Sequence, residues 1–165
     1  MRAKPVLVFV LALAAMGALS LLTYRWEAAR HQTICQICQR NIPKQTAFRM
    51  DTGDGTITAC CPACALHYML HHPDGVRQAL ATDFNSGRMI PAATAYYDDG
   101  GDVQYCTAMH PPVERGPQGV SMRVYDRCLP TLVAFQTPQE AEAYQQQHGG
   151  RVLSYSQALA SVREQ

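Results

Sequence analysis

Cysteine spacing is the feature of this chain that most limits what it can fold into. Five of its seven cysteines lie close together, as Cys35-x2-Cys38 and then Cys60-Cys61-Pro-Ala-Cys64. Two thiol pairs at two-residue spacing, roughly twenty residues apart, can wrap one soft metal ion tetrahedrally. An odd number of cysteines also cannot pair completely into disulfides within one chain. The pattern therefore predicts a metal site formed by two chain segments.

The choice of the fourth ligand stays open at this point. Cys60 and Cys61 are adjacent, so we expect only one of them to join Cys35, Cys38 and Cys64 in a four-thiolate site. The other would be a spare thiol or an entry ligand during metal exchange. Pro62 is expected to begin a helix here, and a helix N-terminus favours thiolates.

Weaker candidate ligands lie elsewhere. His67 follows Cys64 by one helical turn, although a histidine there can equally be a surface or packing residue. Cys106, Met109 and His110 form a Cys-x2-Met-His sequence that suits Cu(I), unless the grouping arises by chance.

Three functions are compatible with these cysteines. Soft thiolates select Cu(I) or zinc over hard ions, so the site could carry transferable copper or hold a structural zinc. A thiol–disulfide oxidoreductase is the third possibility, although no thioredoxin-like βαβ pattern surrounds the cysteines.

The N-terminus predicts a membrane segment. The run from Pro5 to Leu22 is uncharged and mostly apolar over 18 residues, longer than a signal core of about 7–15 residues and within the roughly 17–25 needed to cross a bilayer. We interpret residues 1–30 as an uncleaved anchor, with a cleaved signal as the alternative. Arg2 and Lys4 favour a single-pass protein of the cytoplasmic membrane whose domain, residues 31–165, faces the periplasm or cell exterior. The net charge of +1 does not indicate a nucleic-acid-binding protein.

The remaining pattern predicts an α+β domain in which hairpins outnumber helices. Helices are predicted from Pro62 to about His72 and from Pro138 to His148, the latter with Thr137 in a capping box. Asp98 and Asp99 are predicted to lie in a solvated turn. Further predictions are a strand at Val103–Ala108 and a loop at Met109–Gly119.

Two family resemblances follow from these residues. The stretch Cys38-x21-Cys60-x3-Cys64, within residues 33–72, resembles a TRASH-type treble clef, a domain associated with heavy-metal trafficking and sensing. That resemblance makes Cys60 the ligand, whereas a zinc-ribbon interpretation uses Cys61.

The wider chain resembles the nitrous-oxide reductase accessory protein (NosL) family. The matching stretches are Cys35-Gln-Ile-Cys38 and the Asp-Gly hairpin after it, Ala81–Gly87, Ala95-Tyr96-Tyr97, Leu132–Phe135, Glu140–Tyr144 and His148–Val152. The resemblance implies an extracytoplasmic protein that delivers Cu(I) during metalloenzyme assembly, with an α+β fold related to that of the organomercurial lyases.

The chain departs from that family in four ways. A membrane span replaces the usual lipidated cysteine, the second cysteine set is richer, and a proline-rich insertion lies at Pro111–Pro117. A family Met-Gly motif appears here as Asp126-Arg-Cys128-Leu, which makes Cys128 a candidate in place of a methionine ligand. The cysteine cluster and the resemblance to the NosL family together imply a non-enzymatic copper-binding accessory protein, with zinc as the alternative metal and a metalloenzyme or assembly factor as recipient.

Overall fold

The chain forms two compact units, Met1–Thr33 and Ile34–Gln165. A computed structural model describes residues 3–31, 33–106, 113–116, 119–122 and 126–164, excluding the side chains of 3–7, 27–31 and 113–122. The first unit contains helix α1 (Ala3–His31). Its segment Val8–Trp26 has a mean hydropathy of 1.8 and no buried residue, so it could cross a membrane by length and composition. A signal sequence passes the same test.

The larger sheet of the second unit has four antiparallel strands in the order β2-β1-β3-β4. The strands are β1 (Phe48–Thr52), β2 (Thr56–Ala59), β3 (Val76–Thr82) and β4 (Met89–Pro91). In β1, Phe48 and Met50 are buried while Arg49 is exposed. This alternation is expected where one sheet face covers the core. Helix α2 (Pro62–His71) connects β2 to β3 and buries its first turn in that core.

A second antiparallel sheet has the order β8-β5-β9, and β6 and β7 form a separate hairpin. The strands are β5 (Tyr96–Asp99), β6 (Val113–Gly116), β7 (Gly119–Met122), β8 (Leu132–Phe135) and β9 (Arg151–Ser154). A parallel bridge between Asp83 and Ala134 connects the two larger sheets. The predicted α+β class with antiparallel sheets is therefore confirmed.

Two C-terminal helices pack against these sheets. Helix α3 (Pro138–His148) begins with the predicted capping box, in which Thr137 accepts from the Glu140 backbone N–H and Glu140 accepts from that of Thr137. Helix α4 (Tyr155–Arg163) has a second capping box and lies against α2.

The prediction of a solvated Asp98-Asp99 turn is wrong. Both residues belong to β5 and are buried. Asp99 is compensated from a distant part of the chain, because Arg151 contacts its carboxylate at 2.8 Å. Gly100 and Gly101, both with positive φ, follow the strand.

The predictions for the next segment also need correction. Residues Val103–Cys106 form no strand, so the described part of the predicted strand Val103–Ala108 is absent. Conversely, β6 lies inside the predicted loop Met109–Gly119. Hairpin pairing between β6 and β7 stabilises this strand, and local propensity alone did not indicate it.

Candidate metal centre

The first cysteine pair lies on a tight turn. The Cys35 backbone N–H donates to the Arg40 carbonyl at 2.7 Å, and the Gln39 N–H donates to the Cys35 carbonyl at 2.9 Å. Gln39 completes the turn with φ at +61°. The Cys38 N–H lies 3.5 Å from the Cys35 sulfur. The turn therefore points two thiols into one space and supplies a backbone donor to one of them.

The second set lies where β2 passes into α2. Cys61 is the N-cap residue in an extended conformation, Pro62 begins the helix, and Cys64 is the third helical residue, within the first turn. The carbonyl of Cys60 accepts a hydrogen bond from the Thr46 hydroxyl at 2.8 Å, which fixes the chain just before the helix. The partial positive charge of the helix N-terminus favours thiolates at these positions.

Two loops bring a third set of thiols to the same place. Arg40 binds Asp126 at 2.8 Å and the Cys106 carbonyl at 3.4 Å. The other Asp126 carboxylate oxygen accepts the Cys128 backbone N–H at 3.0 Å. Arg40 and Asp126 thus hold Cys106 and Cys128 beside the turn that carries Cys38.

Six sulfur atoms form two overlapping groups of four, which share Cys38 and Cys60. Within each group every sulfur lies within 4.8 Å of the others. The first group is Cys35, Cys38, Cys60 and Cys64, and the second is Cys38, Cys60, Cys106 and Cys128. Among the described residues, no histidine or carboxylate belongs to either group. Both groups therefore offer sulfur alone.

The sulfur separations match those around a metal ion. The Cys35–Cys64 distance is 3.8 Å, Cys38–Cys60 is 3.4 Å and Cys60–Cys128 is 3.7 Å. A tetrahedral ion with metal–sulfur bonds of about 2.3 Å holds its sulfurs about 3.8 Å apart. A disulfide would need about 2.05 Å, and all seven cysteines are free thiols.

The thiols shift one another's pKa values in opposite directions. Hydrogen bonding from the Cys38 thiol lowers the pKa of Cys35, whereas the Cys106 and Cys128 thiols raise the pKa of Cys60. A thiolate that accepts S–H bonds is stabilised, and a second thiolate beside it is repelled. The cluster can therefore ionise only in part by itself, and a cation that binds it releases the remaining protons.

The structure places the predicted ligands as follows. Cys35, Cys38, Cys60 and Cys64 lie together. Cys61 is buried with its sulfur 3.7 Å from that of Cys60, but it belongs to neither group.

The weaker candidates divide in the same way. Cys106 and Cys128 join the second group, and His67 joins neither. Met109 and His110 lie outside the described residues.

Sequence reasoning missed Arg40 and the way in which the two groups share sulfurs. Arg40 follows Cys38 by two residues but contacts groups 66 and 86 residues away. Its only local signal was a basic residue beside a cysteine turn. The sharing of Cys38 and Cys60 depends on two loops whose approach no local pattern encodes.

The fold is similar to that of a solved metallochaperone. The crystal structure of the copper chaperone NosL from Shewanella denitrificans superposes with a TM-score of 0.53 at 16% sequence identity. The similarity covers 76% of this chain and 89% of that chain. No protein-family model and no curated protein sequence matches the chain. The chain therefore has a NosL-like α+β fold that carries a cysteine cluster able to bind metal.

Proposed function

We propose that this chain is an accessory protein that holds Cu(I) on its cysteine cluster and passes it to a recipient protein. One observation carries the proposal: six sulfur atoms from four separate chain segments converge in two overlapping groups, to which the described residues contribute no harder ligand. Thiolates of this kind select soft ions such as Cu(I) and zinc.

The number of thiols favours cargo over a purely structural ion. A structural zinc site closes with four ligands, and here six thiols are arranged for binding. The structural neighbour is itself a copper chaperone, and it supports copper as the first candidate. Zinc is the alternative, because four-thiolate zinc sites also pin loops to helices.

Burial suggests a route for transfer. Cys38 is partly exposed, whereas the other five cysteines of the two groups are buried. A Cys, His or Met of the recipient could therefore approach the ion beside Cys38 and displace the ligands one at a time. Such ligand exchange changes no covalent bond of a substrate, and the chain is proposed to act without enzymatic activity.

The N-terminal helix supports a membrane location. Residues 5–22 would anchor the protein in the cytoplasmic membrane as a single span, with the metal-binding domain in the periplasm or cell exterior. The recipient would then be a metalloenzyme or assembly factor that matures in that compartment.

Metal analysis of the full chain in detergent tests the proposal. We expect the anaerobic wild-type protein to bind Cu(I), and Cys35→Ser/Cys64→Ser to bind less while helix α3 still forms. Cys61→Ser is the matched control, because it removes a buried thiol outside both groups. A wild-type protein that binds no Cu(I), or a double variant with unchanged stoichiometry, would contradict the assignment.

A further inference from the structure

We infer that the cluster holds at least two metal ions at once, bridged by the thiolates of Cys38 and Cys60. The inference rests on the proposed function, since it presumes that the cluster binds soft metal. It goes further because it assigns a second ion to the group formed by Cys38, Cys60, Cys106 and Cys128.

The second group has a geometry that suits an ion of its own. The Cys60 sulfur lies 3.2 Å from that of Cys106 and 3.7 Å from that of Cys128, and the Cys38–Cys128 distance is 4.0 Å. These distances scatter around the edge of about 3.8 Å expected for tetrahedral thiolate coordination. Cys106 and Cys128, which lie outside the first group, are therefore not scattered in the core but complete a second coordination set.

The surroundings of Cys106 suit a thiolate better than a neutral core cysteine. A neutral cysteine in a core behaves as a small apolar side chain and needs no charged neighbour. Here the Arg40 guanidinium lies 3.9 Å from the Cys106 sulfur, on the same side chain that binds Asp126. A guanidinium stays protonated at any ordinary pH. A fixed cation offsets part of the negative charge of a six-thiolate cluster.

Sharing two sulfurs fixes the separation of the ions. Thiolate sulfur can bridge two metal ions, and Cys38 and Cys60 are the residues common to both groups. With metal–sulfur bonds of about 2.3 Å, the 3.4 Å between these sulfurs places the two ions about 3 Å apart. Cys35 and Cys64 would be terminal ligands of one ion, and Cys106 and Cys128 of the other.

The test uses full-length protein in detergent, loaded anaerobically with Cu(I). Native mass spectrometry should find two or more Cu(I) ions per chain, and X-ray absorption should show copper–copper scattering at about 3 Å. Cys106→Ser/Cys128→Ser should lower the stoichiometry to one and abolish that scattering. Cys35→Ser/Cys64→Ser should likewise lower the stoichiometry to one and abolish the scattering. Cys61→Ser should change neither the stoichiometry nor the scattering.

The outcomes separate this inference from the proposed function. A wild-type chain that binds one Cu(I) without metal–metal scattering overturns the bridged cluster and leaves the single-ion function standing. A wild-type chain that binds no Cu(I) overturns both. A Cys106→Ser/Cys128→Ser variant that keeps the full stoichiometry and scattering also overturns the assignment of the second ion. The wild-type measurements decide the matter even if a variant fails to fold.

Discussion

The sulfur atoms of Cys38 and Cys60 lie 3.4 Å apart, and both belong to each of the two four-cysteine groups. This pair connects the turn before β1 to the start of α2. Any metal bound by either group would contact both residues, so they are the centre of the cluster.

Replacing Cys38 should therefore weaken the binding of every metal ion in the cluster. Loss of a supporting residue around a metal site typically costs about 10–100-fold in affinity. We expect Cys38→Ser, which removes a proposed direct ligand, to lower Cu(I) affinity by more than that, as measured by competition with a chromophoric chelator. Cys61→Ser should change affinity only slightly, and an equal loss in both variants would contradict the shared role of Cys38.

Arg40 should matter for both stability and metal affinity. Its ion pair with Asp126 is largely buried, with side-chain exposures of 12% and 18%. Arg40→Gln leaves the Asp126 carboxylate short of a partner, and should lower the free energy of unfolding by about 1–3 kcal/mol. It should also weaken Cu(I) binding, because Cys106 loses its neighbouring cation.

Asp126→Asn is the matched variant for Arg40→Gln, since it removes the other charge of the pair. Denaturant unfolding should show a loss of stability in both variants, whereas only Arg40→Gln removes the cation beside Cys106 and should weaken Cu(I) binding through its charge. Normal Cu(I) affinity in Arg40→Gln would show that the guanidinium does not support the cluster.

The buried carboxyl of Asp98 should make stability depend on pH. Burial, reinforced by the charge of Asp99, raises the pKa of Asp98 to about 6, and neither of its carboxyl oxygens has a hydrogen-bond partner within the described parts of the chain. A raised folded-state pKa favours the protonated form, so this contribution to stability is complete below about pH 4 and is lost as the pH rises through about 6.

Asp98→Asn tests this expectation, because the amide stays neutral at every pH. The variant should melt at a higher temperature than the wild type at pH 7, and the difference should shrink towards pH 4. A constant difference across this range would contradict the raised pKa. Because the wild type and the Asp98→Asn variant carry the same cysteines, the effect of cysteine titration on stability cancels in the difference between them.

The capping box of α3 offers a change that should alter stability alone. Thr137→Ala removes the acceptor for the Glu140 backbone N–H, and should cost about 1 kcal/mol of unfolding free energy. The helix carries none of the clustered cysteines, so Cu(I) stoichiometry should stay at the wild-type value. Loss of copper in this variant would show that metal binding depends on overall stability more than on local geometry.

The N-terminal helix should retain the protein in membranes. We expect the full chain to stay in the membrane fraction after alkaline extraction, and Leu11→Asp/Leu13→Asp to release it, because a charge at the centre of a span costs several kcal/mol. Mass determination of the N-terminus shows whether the segment is kept. Release of the uncleaved wild-type chain would contradict an anchor.

Local sequence signals predicted the elements on which the first group stands. Pro62 marked the start of α2, which carries Cys64 of that group. The capping box at Thr137, on a helix without clustered cysteines, also lies where it was predicted. These features depend on neighbours a few residues away, so the sequence alone carries the information.

The second group could not be derived from the residues in this way. Cys128 entered only through a family resemblance, and Cys106 was grouped with Met109 and His110. The position of Cys106 beside Cys60 depends on contacts between residues far apart in sequence. Asp98 and Asp99 were misplaced for the same reason, since the Arg151 that compensates Asp99 comes from another strand.

Competition between Cu(I) and zinc on the full-length protein, followed by exchange to an acceptor, tests the proposed cargo role most directly. We predict that Cu(I) displaces zinc from the cluster and then moves within minutes to a soluble thiol-rich acceptor, while the chain stays folded. Zinc that resists excess Cu(I), and whose removal by a chelator unfolds the domain, would contradict copper transfer and would identify the cluster as a structural zinc site.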